Sequence, residues 1–206
     1  MKNQLTAQLF YIAFGFLLGS VMFSRILPRA FLKKDICALS KDKNPGASNV
    51  FVHCGIPMGL LCLALDMAKG FVPVFLASRT TDVQRLLFAG VMVAPVLGHA
   101  LAVFNDLHGG KCIATIFGVL IALLPLTPAG WLLAGLYILF SGIIRVKPNR
   151  KCSLLTFTLF GAIAGVMLTR HGKFSIAVGC VVMALLAILK HLVPEAEPLP
   201  EEKKAD

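Results

Sequence analysis

The sequence predicts an all-α integral membrane protein, a bundle of about seven transmembrane helices with its motif loops gathered on the cytoplasmic side. Three observations carry that expectation. Hydrophobic residues make up 57% of the 206 positions and charged residues 15%, against about 25% charged in a soluble domain, and the mean hydropathy is +0.82. Apolar runs of membrane-crossing length follow one another with little chain between them. The Lys and Arg residues then fall unequally on the two sides that these runs define.

The first run, 5–27, is longer than a signal-peptide core and lacks a small-x-small cleavage site, so it is expected to remain as a span. The second, 57–78, opens at Pro57, and the third, 85–104, closes around Gly98-His99. The fourth and fifth, 112–127 and 129–146, are parted by Leu126-Thr-Pro-Ala-Gly130, whose Pro and Gly predict a tight turn between two helices. The sixth and seventh occupy 152–169 and 173–191. Residues 1–193 thereby form one multi-pass domain, and 194–206 a polar cytoplasmic tail.

With loops assigned alternately, one side gathers thirteen basic residues, in 29–43, at Lys111, in 145–151 and in 190–204, and the other side five. The richer side is cytoplasmic by the positive-inside rule, which places the N-terminus outside and the C-terminus inside. The net charge of +10 is therefore a topology signal with some attraction for anionic headgroups, and without interleaved aromatics it does not describe a nucleic-acid surface. The six cysteines form no C-x-x-C pair, and His53, His99, His108, His171 and His191 are not spaced as a metal cluster. Neither a metal nor a cofactor is expected.

The remaining polar residues collect on the cytoplasmic side. In the long loop 28–56, Asn44-Pro-Gly-Ala-Ser-Asn49 prescribes a tight turn. Its amides can form an anion nest, with Asn44, Ser48 and Asn49 offering groups suited to a polyol; the same composition also serves a solvated turn. Asp66 and Lys69 stand three residues apart inside the second span, either as an internal ion pair or as a pair lining a site, with Lys69 reaching an anion only if water does. Gly109-Gly110-Lys111 opens the fourth span, where free N–H donors, the helix dipole and a point charge favour phosphate; a Lys there can also be a simple membrane anchor.

Taken in order, Gly19-Ser20, Asp35-Ile36, Asn44 to Asn49, Asp66-Met-Ala-Lys-Gly-Phe-Val-Pro-Val74, Gly98-His99, Gly109-Gly-Lys-Cys-Ile-Ala-Thr115, Arg150-Lys-Cys-Ser-Leu154 and His191 resemble the bacterial membrane acyl-phosphate:glycerol-3-phosphate acyltransferases (PlsY-type). The resemblance covers about residues 15–191. It implies a plasma-membrane enzyme that moves a fatty acyl group from acyl phosphate to the 1-hydroxyl of glycerol 3-phosphate, giving lysophosphatidic acid for phospholipid biosynthesis. A soluble enzyme that forms acyl phosphate is then a candidate partner, beside the membrane lipid. Carried over by motif, the substrate-binding residues are Asn44, Gly46 and Asn49, then Lys69 and Gly70, then His99, Gly109, Gly110, Lys111 and Thr115, with Ser153; Ser48 and His191 belong to the same set.

Several positions depart from the family pattern. Asp42 stands where a Ser implicated in catalysis is usual, and the loop is one residue longer, which leaves Ser40 out of register. Val52 replaces an Arg, Pro194 an Asn and His108 a Lys, and Lys43 and Cys112 stand where Gly is usual. The catalytic set expected for this chain is accordingly Asp42, Ser48 and His191. Asp42 or His191 would accept the hydroxyl proton, with Asp42 alternatively organising the loop, and Ser48 would donate to a substrate oxygen. Lys111 and the Gly109 and Gly110 amides are expected to hold phosphate, and the transfer is expected to be direct, without an acyl-enzyme. The alternatives are a catalytically weakened paralog that binds lipid phosphates and a transporter of a small phosphorylated solute.

Overall fold

The structure, a computed structural model, describes residues 2–192, so the expected tail 194–206 lies outside the described residues. Those residues are helical with no strand. In chain order the helices are α1 (Lys2–Gly19), α2 (Phe23–Leu32), α3 (Ile36–Leu39), α4 (Ala47–Cys54), α5 (Ile56–Thr80), α6 (Leu87–Leu101), α7 (Ile113–Ala122), α8 (Ala129–Tyr137), α9 (Asn149–Arg170) and α10 (Phe174–Leu192). A π-helical turn, Ile138–Ile143, continues α8. Helices α5, α9 and α10 are each long and apolar enough to cross a membrane, and α1 with α2 passes the same test as a bent pair, either a broken span or a re-entrant loop.

The first run is therefore not one straight helix. It breaks between Gly19 and Phe23 with a bend of 40°, and the break is stabilised from α5. The carbonyl of Val21 accepts a hydrogen bond from Lys69 Nζ at 2.7 Å, Lys69 pairs with Asp66 at 3.0 Å, and Ser24 Oγ donates to Asp66 Oδ2 at 2.7 Å. A carbonyl released from a helix inside an apolar bundle must find a donor, and Lys69, wholly buried, supplies it.

The expected 28–56 loop also contains structure. Asp35 caps the single turn α3 by accepting from the Cys37 N–H, and Ile36, Ala47, Val50 and Cys62 make a small apolar cluster that seats α3 and α4 on α5. The turn before α8 forms as expected, with Thr127 Oγ1 accepting from the Ala129 N–H. The fourth and fifth spans are shorter than the apolar runs that encode them: α7 has 10 residues and rises about 15 Å, half of a ~30 Å hydrocarbon layer.

Small residues set how closely the helices pack. A Cβ at Gly98 would lie 2.2 Å from the Phe16 carbonyl oxygen, so α6 and α1 touch backbone to backbone. One at Gly70 would lie 2.2 Å from the Thr115 carbonyl oxygen, which brings the first turns of α7 against the middle of α5. The main core, including Phe88, Met92, Leu120, Phe157 and Phe160, fills the space between α6, α7, α9 and α10.

Candidate active site

Because α7 is short and starts against the middle of α5, a cavity of about 1090 Å³ opens beside its first turn. Three helices begin on its wall: α4 at Gly46–Ser48, α7 at Cys112–Ala114 and α9 at Pro148–Arg150. Each N-terminus carries unpaired amides and the positive end of a helix dipole. Lys111 and Arg150 add full charges, and His99 of α6 and His191 of α10 complete the polar wall. The lining also carries apolar side chains, Phe51, Leu63, Met67, Ile113 and Phe117. The helix starts and cations suit an anion, and the apolar side chains a hydrocarbon chain.

Asp42 organises the first loop. Its Oδ1 accepts from Asn49 Nδ2 at 2.8 Å and from the Asn44 N–H at 3.2 Å, its Oδ2 accepts from Lys111 Nζ at 2.8 Å, and Asn49 Nδ2 also reaches the Asn44 carbonyl at 2.8 Å. Partial burial pushes the Asp42 carboxyl up, but the hydrogen bonds from Lys111 and Asn49 and the Lys111 charge outweigh it and hold the group below the ordinary carboxylate range. The loop is thus pinned to the third motif across 69 residues of sequence, as expected if the motif loops close over one site.

His191 is set as a hydrogen-bond acceptor. Its Nδ1 lies 2.7 Å from the Ala187 carbonyl, which can only accept, so the neutral ring carries its proton there and presents a lone pair at Nε2. The ring packs 6.4 Å from Phe157. Ser153 receives a hydrogen bond from the Tyr137 hydroxyl at 3.3 Å. Arg150 donates from Nη2 to the Leu192 carbonyl at 2.9 Å, tying the start of α9 to the end of α10. Among the described residues no group of three or more His, Cys, Asp or Glu could hold a metal.

The structure brings Asp42, Asn44, Gly46, Ser48, Asn49, His99, Lys111, Ser153 and His191 to this cavity. Lys69, Gly70, Gly109, Gly110 and Thr115 are not part of its wall. Lys69 serves the helix break, and Gly70 and Thr115 are where α5 and α7 meet. Gly109 packs 2.2 Å, measured from a virtual Cβ, from the His99 and Ala100 carbonyl oxygens, and the Gly110 N–H is already bonded to the His99 carbonyl at 3.1 Å. The Gly110 amide is therefore committed to the fold rather than to phosphate; the first-turn amides of α4 and α7 border the cavity instead. Lys111 also precedes α7 by two residues rather than opening it. The sequence reading did not single out Arg150 and Asn149 as site residues, although the Pro148-Asn149 helix start was a usable signal. The apolar lining residues left none, because every span is apolar.

A family model described as glycerol-3-phosphate acyltransferase matches residues 9–194. The chain belongs to that family. A glycerol-3-phosphate acyltransferase from Hydrogenobaculum sp. is 33% identical over 180 residues, 86% of this chain and 86% of that protein. Another, from Maridesulfovibrio salexigens, is 38% identical over 117 residues, which is 57% of this chain and only 59% of the relative's own length. Among solved structures, the glycerol 3-phosphate form of PlsY (YgiH), an integral membrane glycerol 3-phosphate acyltransferase, superposes with a TM-score of 0.74 at 30% identity, covering 89% of this chain and 88% of that one. With its apolar helices and this likeness, the present glycerol-3-phosphate acyltransferase family member is a multi-pass membrane protein.

Proposed function

We propose that the chain transfers a fatty acyl group from acyl phosphate to the 1-hydroxyl of glycerol 3-phosphate, with the cavity facing the cytoplasm, the N-terminus outside and the C-terminus inside. The observation that supports this most is the meeting of three helix N-termini, Lys111 and Arg150 at a cavity that is also lined by apolar side chains. Two anionic head groups and one acyl chain fit that mixed lining. The PlsY structure in its glycerol 3-phosphate form supports the acceptor.

Acyl phosphate is already activated, so the protein has chiefly to hold two phosphates and align a hydroxyl, an arrangement that proximity rewards by several kcal/mol. Lys111 and the first-turn amides of α4 and α7 bind phosphate oxygens, and Asn44, Ser48 and Asn49 orient the glycerol moiety. The glycerol oxygen attacks the acyl carbonyl carbon while His191 Nε2 takes its proton. The bond from that carbon to the phosphate oxygen then breaks, and phosphate leaves with the electron pair. Asp42 acts as organiser of the loop, because all its acceptor positions in use face Lys111, Asn49 and Asn44. A soluble enzyme that forms acyl phosphate would supply the donor.

A second reading rests on the same ion pair: a carboxylate already sits on Lys111, so a weakened paralog that binds lipid phosphates without rapid turnover is the alternative. Purified protein given labelled glycerol 3-phosphate and, in parallel, acyl phosphate, acyl-coenzyme A or acyl carrier protein distinguishes these. Labelled lysophosphatidate with acyl phosphate alone is expected. Product only from another donor overturns the assigned donor, and binding of both substrates without product favours the paralog.

A further inference from the structure

Tyr137 is the last residue of α8, and the π-helical turn Ile138–Ile143 follows it at once. There the Ile144 N–H reaches five residues back to the Leu139 carbonyl at 2.8 Å, and the Ser141 hydroxyl donates to the Tyr137 carbonyl at 2.6 Å. Such turns insert a residue into a helix and recur at functional sites. The ring immediately before this turn has a defined place. Tyr137 lies 5.9 Å from Phe117, a residue of the cavity wall, and edge-on 5.8 Å from Phe157, whose ring also packs near that of His191. Its hydroxyl, off the cavity itself, meets Ser153 Oγ on the cavity wall.

We propose that Tyr137 is a positioning residue for acyl transfer: it donates its hydroxyl hydrogen to Ser153 Oγ and so turns the Ser153 hydrogen into the cavity, toward a phosphate oxygen of bound substrate. A serine hydroxyl has one hydrogen to give and lone pairs to receive with. A phenol is the more acidic of the two hydroxyls, so between Tyr137 and Ser153 the phenol is the donor, and the serine hydrogen is left for a ligand. An apolar residue in place of Tyr137 would let Ser153 rotate and satisfy itself on the backbone of α9, as Thr156 does on the Cys152 carbonyl at 2.8 Å. The inference rests on Ser153 being a substrate ligand in the reaction proposed above. It adds the residue that orients it.

The test is a double-mutant cycle of Tyr137→Phe, which keeps the ring, and Ser153→Ala, on the full-length protein. Each single variant is expected to raise KM for one phosphate-bearing substrate about 3–10-fold, the scale of one buried hydrogen bond, with kcat changed less. The double variant is expected to be no worse than Ser153→Ala alone. A wild-type KM for both substrates in Tyr137→Phe overturns the proposal, as do multiplying effects in the double variant. Equilibrium binding of glycerol 3-phosphate and of a non-hydrolysable acyl-phosphate analogue, run on the same four proteins, decides the matter separately from turnover. Wild-type protein that binds but forms no lysophosphatidate overturns the acyl-transfer reading, while the same non-additive Kd pattern still supports Tyr137 and equal Kd values overturn it. Wild-type protein that binds neither ligand overturns both.

Discussion

Lys43 and Cys112, the two residues that occupy positions where the resembling family usually has Gly, both hold left-handed backbone, at φ 48° and 67°. An L side chain pays about 1–2 kcal/mol there. For Lys43, whose side chain is exposed, Lys43→Gly removes that strain and is expected to stabilise the protein by up to about 1 kcal/mol, the gain being reduced by the freer unfolded chain; a thermal unfolding midpoint in detergent checks it. Cys112→Gly should gain less, because the Cys112 side chain is buried and its thiol reaches the Val96 carbonyl at 3.6 Å. Asp42 allows two further checks. As an organiser rather than a base, Asp42→Asn should lower turnover by less than about tenfold, whereas loss of a general base would cost about 10²-fold or more. Its folded-state carboxyl titrates below the unfolded one, so its contribution to stability is present above the usual Asp value near 4 and is lost as the pH falls through the lower folded value. An acid unfolding profile of Asp42→Asn should lack that component.

At the scale of elements, the positions and order of the helices were legible because each apolar run is long and bounded by turn residues. What was not legible depended on partners distant in sequence. The break at 20–22 follows Gly19-Ser20 but has no Pro or charge of its own, and the donor that satisfies its Val21 carbonyl is Lys69, 48 residues on. By the same logic the role of Lys69 was hidden: as a sequence feature it is an intramembrane cation, and only the fold shows its charge already met by Asp66. Asn44, Asn49 and Lys111 could be read because turn chemistry and a Gly-Gly-Lys mark a loop without reference to anything else. Tyr137 could not, since an apolar helix with one Tyr says nothing of Ser153. Lys69→Met should therefore act on the element and not on chemistry. Removing one partner of this buried pair should destabilise by about 3–5 kcal/mol, seen as a large fall in the detergent unfolding midpoint, and Lys111→Ala, which removes one partner of the more exposed pair with Asp42, should lower that midpoint much less.

For the whole molecule, the short α7 leaves a cavity at the level of the bundle's interior, and the starts of α4, α7 and α9 lie on its lining. The loops that carry these starts must then lie on one side of the membrane. Single cysteines introduced in 41–49 and 108–111 of a cysteine-free background should be labelled by an impermeant reagent from the cytoplasmic side alone. The most direct measurement is the rate at which purified protein converts acyl phosphate and labelled glycerol 3-phosphate into extractable lysophosphatidate, with Lys111→Ala alongside. The account predicts product from the wild type and, in Lys111→Ala, phosphate-substrate binding weakened by about 1–3 kcal/mol, from lost charge-assisted hydrogen bonds. Wild-type protein without product, or a Lys111→Ala variant with unchanged KM for both substrates, would contradict it.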